Sequence, residues 1–501
     1  MHPTNQTPYL EHSTVASLRR NALAFPLLAI AIASCKAPST AGQGSTSTQT
    51  GSTKEATKPA ATSAPVSAES SKAPSAAELA FRDAVLDAPP NWKGPRFQLS
   101  HNYPSSPPTC ASPWLQRKVK FGPGGTWKEW EPYIQDIVNY VRDGQDENLS
   151  NEIGWRATIH AGAKNEETRW FHVPWMAYDG ERGREFVHGL TNELSTAQSS
   201  FTGRGGGQHK LPGASSDALF ETWSVGFYNP CGAYSIGQQW PSSGEPATYR
   251  DNDRLFARGM PFPDGTVVVK VLNTTASATD VPYLKNSTTW QAHAHRQESP
   301  TKYSTCEREI RDVHLVQMDL AVVDSRSPTR WVYSTLVYDG ELPGATVWDR
   351  LRPLGVQWGN DPGAFPAVEN PKQTKLVESI RAPVKTYEHY GCGKRLAGNV
   401  DQANSSCTSC HLGAYAAKPG DVIAQGENVP AIFSFDGICT TYNTANKDYF
   451  SNYAYPAAYP GSTGDIAAAI PLDTSLQLQV AFAQYAYFRH PEIKSTCPPA
   501  H

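Results

Sequence analysis

The sequence predicts a β-rich α+β chain in which an antiparallel β domain over residues 251–501 follows a mixed α/β domain over 78–250. Three observations carry this prediction. Apolar, β-branched runs cluster after residue 260 and are bounded by Pro, Asp and Gly turns. An amphipathic helical pattern stands in the earlier half. The 501 residues, 39% hydrophobic with a formal net charge of -3, supply two ordinary cores without the basic excess that nucleic-acid binding requires.

The N-terminus is set aside from the fold. Arg19 and Arg20 precede the apolar run A-L-A-F-P-L-L-A-I-A-I-A, which ends at Ser34 and Cys35. A charged start followed by an apolar run of this length has the form of a signal peptide, and the run is too short to span a bilayer as a helix. Ile32-Ala33-Ser34-Cys35 resembles the bacterial lipobox, in which the cysteine carries lipid; an ordinary signal peptide cut near Ala33 is the alternative. Residues 36–77 are nearly all Ser, Thr, Ala, Gly, Pro and Lys, too polar to bury a core, and read as a disordered tether. The expected location is the cell envelope, with Cys35 anchoring the chain to a bacterial membrane on its periplasmic side.

In the segment 78–250, Trp127, Trp130, Ile134, Ile137 and Val141 recur at helical spacing. Residues 169–190 concentrate Arg169, His172, Trp175, Arg182, Arg184, Glu185 and His188. No metal, triad or phosphate-loop pattern organises them, so an aromatic core edged by Arg–Glu pairs is favoured over an anion pocket. R-G-G-G-Q at 204–208 reads as a loop.

After residue 250, P-F-P-D-G-T-V-V-V-K-V-L-N places a Pro-Asp-Gly turn before a strand over Val267 to Leu272. D-V-H-L-V-Q-M-D-L-A-V-V is a second strand, with His314, Val316, Met318, Leu320 and Val322 on one face. R-W-V-Y-S-T-L-V-Y-D-G is a third, ending at Asp339-Gly340. Leu476, Val480, Ala483 and Tyr487 form a helical stripe that ends at His490, before Pro491.

The nine cysteines divide by chemistry. Cys407 and Cys410 stand in C-T-S-C-H with His411, the c-type haem attachment pattern: two thiols add to the porphyrin vinyl groups, and the adjacent histidine binds iron. A zinc site wants a second Cys or His pair, and a thioredoxin-like C-x-x-C wants a strand-to-helix setting; neither is present in the sequence. With Cys35 given to lipid, Cys110, Cys231, Cys306, Cys392, Cys439 and Cys497 remain, an even number consistent with three disulfides of open pairing.

A small electron carrier needs a methionine after its haem motif, and here none follows: the four are Met1, Met176, Met260 and Met318. Candidates for the sixth iron position are Met318, one of His293, His295, His314, His389 and His490, a lysine, or none. For Met318 and His314 a core-facing strand is the favoured reading.

Pro261 to Lys270, the later strand pair D-L-A-V-V-D-S-R-S-P-T-R-W-V-Y and the late C-x-x-C-H together resemble the cytochrome P-460 family and its relative cytochrome c′-beta, over about Arg250 to His411. The resemblance implies an antiparallel β fold and a single haem c held by Cys407, Cys410 and His411, with the opposite face open to a gas or a small nitrogen compound to be oxidised. It also implies a distal or cross-linked role for Lys270, the candidate catalytic residue. Phe262 and Trp331 are candidate pocket walls. The competing expectations are a six-coordinate electron-transfer cytochrome using Met318 or His490, and a scaffold protein whose N-terminal domain holds a partner. Expected partners are a small ligand at iron, a redox protein and the membrane.

Overall fold

The computed structural model describes residues 89–93, 101–145 without 111 and 144, 170–176, 190–202 without 194, 218–240, 261–360, 378–380, 391, 395–401, 406–416, 450–452 and 470–489, all within one compact unit. Cys35, the tether, His389, His490, and the cysteines Cys392, Cys439 and Cys497 lie outside the described residues, as do Arg169, Arg182, Arg184, Glu185 and His188.

The core of the fold is an eight-stranded antiparallel sheet with few helices. Its strands are β1 (Thr191–Asn192), β2 (Thr222–Tyr228), β3 (Val267–Thr274), β4 (Thr289–Ser299), β5 (Lys302–Val323), β6 (Trp331–Tyr338), β7 (Leu351–Gln357) and β8 (Glu378–Ile380). The order is β1-β2-β3-β5-β6-β7-β8, with β4 paired to the first half of β5. β2 and β3 pair from Thr222↔Thr274 to Tyr228↔Val268, so the sheet runs across the expected division at residue 250.

Each face of the sheet is covered, which is why β2 and β6 are buried at every position. Alternation sends Val267, Val269 and Val271 of β3 and Met318, Leu320 and Val322 of β5 into one core. Helix α1 (Trp127–Arg142) fills that side with Trp130, Tyr133, Ile134, Ile137 and Val141. Trp130 stacks on Trp358 just past β7, with ring centroids 4.2 Å apart and planes 10° off parallel.

The other face carries a second cluster, including Tyr228, Trp331 and Tyr333 of the sheet. It is closed by helices α2 (Pro230–Gln239), α3 (Cys407–Leu412) and α4 (Leu476–Arg489). Phe262 packs edge-on against Trp331 there, with centroids 5.7 Å apart. Cys110 and Cys231 form a disulfide, and Cys306 is also disulfide-bonded. No helix among the described residues is long and apolar enough to cross a membrane.

Candidate functional site

The two faces of β3, β5 and β6 divide the candidate residues. Val268 and Lys270 of β3, Asp319 and Ala321 of β5, and Trp331, Tyr333 and Thr335 of β6 turn away from the α1 core and line a cavity of about 220 Å³. Cys407, Cys410 and His411 line the same cavity from α3. Residues 137 positions apart in sequence, Lys270 and Cys407, therefore meet at one site, as do the three residues of the C-x-x-C-H motif.

Met318 is not among them. It is fully buried in the core on the α1 side, opposite Val271 and Leu336 in register, because its position in the strand alternates with those of Asp319 and Ala321. His314 faces Thr289 at the edge of the β4–β5 pair, and His295 is buried against Glu221, with Nδ1 and Oε1 2.5 Å apart. Neither lines the cavity, and among the described residues lining it there is no methionine and no histidine besides His411. Phe262 stands behind Trp331 and is not part of the lining, whereas Trp331 is.

Helix α3 is only six residues long, and side-chain hydrogen bonds hold it in place. Ser406 caps its start by accepting from the Ser409 amide. Asn360, beyond the end of β7, accepts from the hydroxyls of Ser406 at 3.2 Å and Ser409 at 2.9 Å, while Gln357 accepts from the Thr408 amide at 2.8 Å. Residues three and four apart share one side of a helix, so this anchoring turns Cys407, Cys410 and His411 together toward the cavity. Neither cysteine is in a disulfide.

The His411 ring is oriented from α4's side. Its Nδ1 lies 3.0 Å from the carbonyl oxygen of Thr474, so Nδ1 carries the proton and donates it, and Nε2 is left as the basic nitrogen. Tyr333 packs on the ring with centroids 4.8 Å apart. Burial, together with the Lys270 charge, pushes the imidazole down to about 4, although the Thr474 carbonyl and Asp401 oppose this. A neutral imidazole of fixed tautomer is the state a metal ligand needs.

Cys410 is exposed and lines the cavity. Burial first, then Asp401, pushes its thiol up to about 11. Among the described residues no group of three or more His, Cys, Asp or Glu side chains is placed to hold a metal ion.

The polar end of the cavity is built from distant segments. Lys270 Nζ lies 2.9 Å from Glu193 Oε1. Burial would lower the lysine, but Glu193, then Asp319 and Asp401, outweigh it and hold Lys270 above its ordinary range. Asp319 is the direct cross-strand partner of Lys270. One amide group, Gln317 Nε2, donates to Asp319 at 2.8 Å and to Asp401 at 3.2 Å. Burial first, then the Asp401 charge, raises the Asp319 carboxyl well above the usual range against the pull of Lys270. Glu193, Asp319 and Asp401 carry no motif, and the one sequence signal was the placement of Gln317 and Asp319 as polar residues on the second face of an apolar strand.

Comparison with protein-family models, curated proteins and solved structures finds no match to this chain.

Proposed function

We propose that this chain holds one covalent haem c in the cavity, with Cys407 and Cys410 as the attachment thiols and His411 as the iron ligand. The domain around it is then an antiparallel β haem c domain. One observation carries the reading: two cysteines outside any disulfide, one helical turn apart, and a neutral imidazole with Nδ1 tied to a backbone carbonyl all line a single cavity. The donor set fits the group, since a c-type haem asks for two thiols and one Nε2 at this spacing.

When bound, the haem supplies an iron centre that binds a small gas or oxidises a small nitrogen compound. The chain's own residues do the rest. Gln357, Asn360 and Ser406 hold α3, and Thr474 orients His411. Val268, Ala321 and Trp331 keep water from one side of the cavity, and Lys270 with Glu193 presents a charged group at its polar end, where the resemblance to cytochrome P-460 proteins expects a functional lysine. Packing of Met318 in the α1 core, away from the cavity, favours an open iron over a six-coordinate electron-transfer reading that uses Met318. We further propose, from the sequence alone, that Cys35 is lipidated and that the protein works at a bacterial membrane facing the periplasm, with a redox protein as its partner.

The test is an absorption spectrum of the purified holoprotein, oxidised and reduced, with and without carbon monoxide or nitric oxide. A high-spin reduced spectrum that shifts promptly with ligand is expected. A low-spin spectrum indifferent to both gases would overturn the open-iron reading.

A further inference from the structure

Three non-glycine residues with left-handed backbone meet at the turn that faces His411: Arg330 (φ 66°), Asp473 (φ 45°) and Thr474 (φ 65°). A β-branched threonine in this region is an outlier, and such conformations persist only where surrounding contacts impose them. The contacts here are specific. Buried Asp473 accepts from the Phe262 amide at 2.7 Å, from Trp331 Nε1 at 3.0 Å and from the Arg330 guanidinium at 3.0 and 3.1 Å. Arg330 also donates to the Phe262 carbonyl at 2.7 Å, and Tyr333 Oη donates to Thr474 Oγ1 at 2.9 Å.

Starting helix α4 does not explain this arrangement. Ser475 already caps it, its Oγ accepting from the Leu478 amide at 3.1 Å. What the strained pair does deliver is the Thr474 carbonyl, 3.0 Å from His411 Nδ1. We infer that Asp473 and Arg330 are positioning residues for His411: their ion pair holds the 473–474 turn left-handed and so keeps the Thr474 carbonyl on the imidazole. Resting on the haem reading, this makes the pair a control on how strongly the histidine donates electrons to iron, because a hydrogen bond at Nδ1 raises the basicity of Nε2. Without the pair the threonine relaxes to negative φ and its carbonyl changes direction.

The test measures the reduction potential of the holoprotein and of Asp473→Asn and Arg330→Gln, after extraction in acidified solvent has shown the haem to be covalent in each. Both variants are expected to keep covalent haem, since neither touches the thiols. Their reduction equilibrium should shift toward the ferrous state by about tenfold, about 59 mV for a one-electron couple. Arg326→Gln is the control, because it breaks an arginine–aspartate pair, Arg326 with Asp324, in which neither residue lines the cavity, and it should leave the potential where it is. Should Asp473→Asn not fold, Arg330→Gln, at a partly exposed side chain, carries the same measurement. Covalent haem with an unchanged potential in the variants, or an equal shift in Arg326→Gln, would overturn this inference alone. Absence of covalent haem from the unmodified protein would overturn the haem reading and this inference with it.

Discussion

Lys270 Nζ and Glu193 Oε1 stand 2.9 Å apart at the polar end of the cavity that Cys410 and His411 also line. The pairing keeps the lysine an ammonium, which has no lone pair to offer iron or a porphyrin carbon. Haem peptides from the unmodified protein should therefore contain the Cys407–Cys410 segment without Lys270, as read by mass spectrometry. Glu193→Gln removes the strongest influence raising the lysine. In that variant an alkaline transition to a low-spin, lysine-ligated spectrum should set in at lower pH than in the parent, and identical titrations would count against the assignment.

How much of this site could be read from the chain depends on how local each part is. The C-x-x-C-H motif is five adjacent residues, and the helix that aims them is one turn and a half, so their grouping was legible. The strand at Val267 and the helix face from Trp127 to Val141 were legible for the same reason, their periodicity being a property of short windows. Met318 stood both as a core residue and as a candidate iron ligand; it packs in the core, as its apolar neighbours at 316, 320 and 322 favoured, and does not reach the cavity. By contrast, Glu193 and Asp401 reach Lys270 only through long-range sheet pairing and loops. The turn at Asp473 and Thr474 left no trace, since left-handed backbone usually announces itself by glycine and here its two residues are instead bonded by Arg330 and Tyr333. The division expected at residue 250 followed a change in composition, whereas β2 and β3 pair across it.

Asp319 gives a pH prediction with a definite sign. Its folded-state pKa is raised, mainly by burial and by Asp401. A raised carboxyl contributes stability that is fully present below the unfolded value, about 4, and is lost as pH rises through the folded value. Asp319→Asn keeps an oxygen to accept from Gln317 and has no charge to desolvate. Thermal melts should show the variant more stable than the parent at pH 7.5 and level with it at pH 3.5. A variant less stable at pH 7.5 would mean that attraction to Lys270 outweighs burial.

The Cys110–Cys231 bridge closes a sequence separation of 121 residues and ties the segment before α1 to helix α2. In the chain-entropy model a loop of that length is worth about 4–5 kcal/mol. The double variant Cys110→Ala, Cys231→Ala should lose stability of that order in urea titrations without loss of covalent haem, because neither residue lines the cavity. A loss of haem in step with stability would mean that the attachment site does not form independently of this bridge.

Asn360 tests whether the thiols are positioned by the sheet or only by their own short helix. Its Oδ1 serves the hydroxyls of Ser406 and Ser409, its Nδ2 donates to the Ser451 carbonyl at 3.0 Å, and its backbone bonds Asn452 in both directions, all at a position 1% exposed. Asn360→Ala removes the shared acceptor of the buried Ser406 and Ser409 hydroxyls, a loss of about 1–3 kcal/mol, while the backbone bonds to Asn452 remain. Six residues cannot hold a helix in water by themselves, so α3 depends on such external bonds. The variant is therefore expected to melt lower and, at a temperature where it is still folded, to carry haem on a smaller fraction of molecules than the parent. Asn360→Asp keeps the acceptor for both hydroxyls and should retain more of the haem than the alanine variant. Equal haem content in all three proteins, measured per folded chain, would show that Cys407 and Cys410 are placed without help from Asn360.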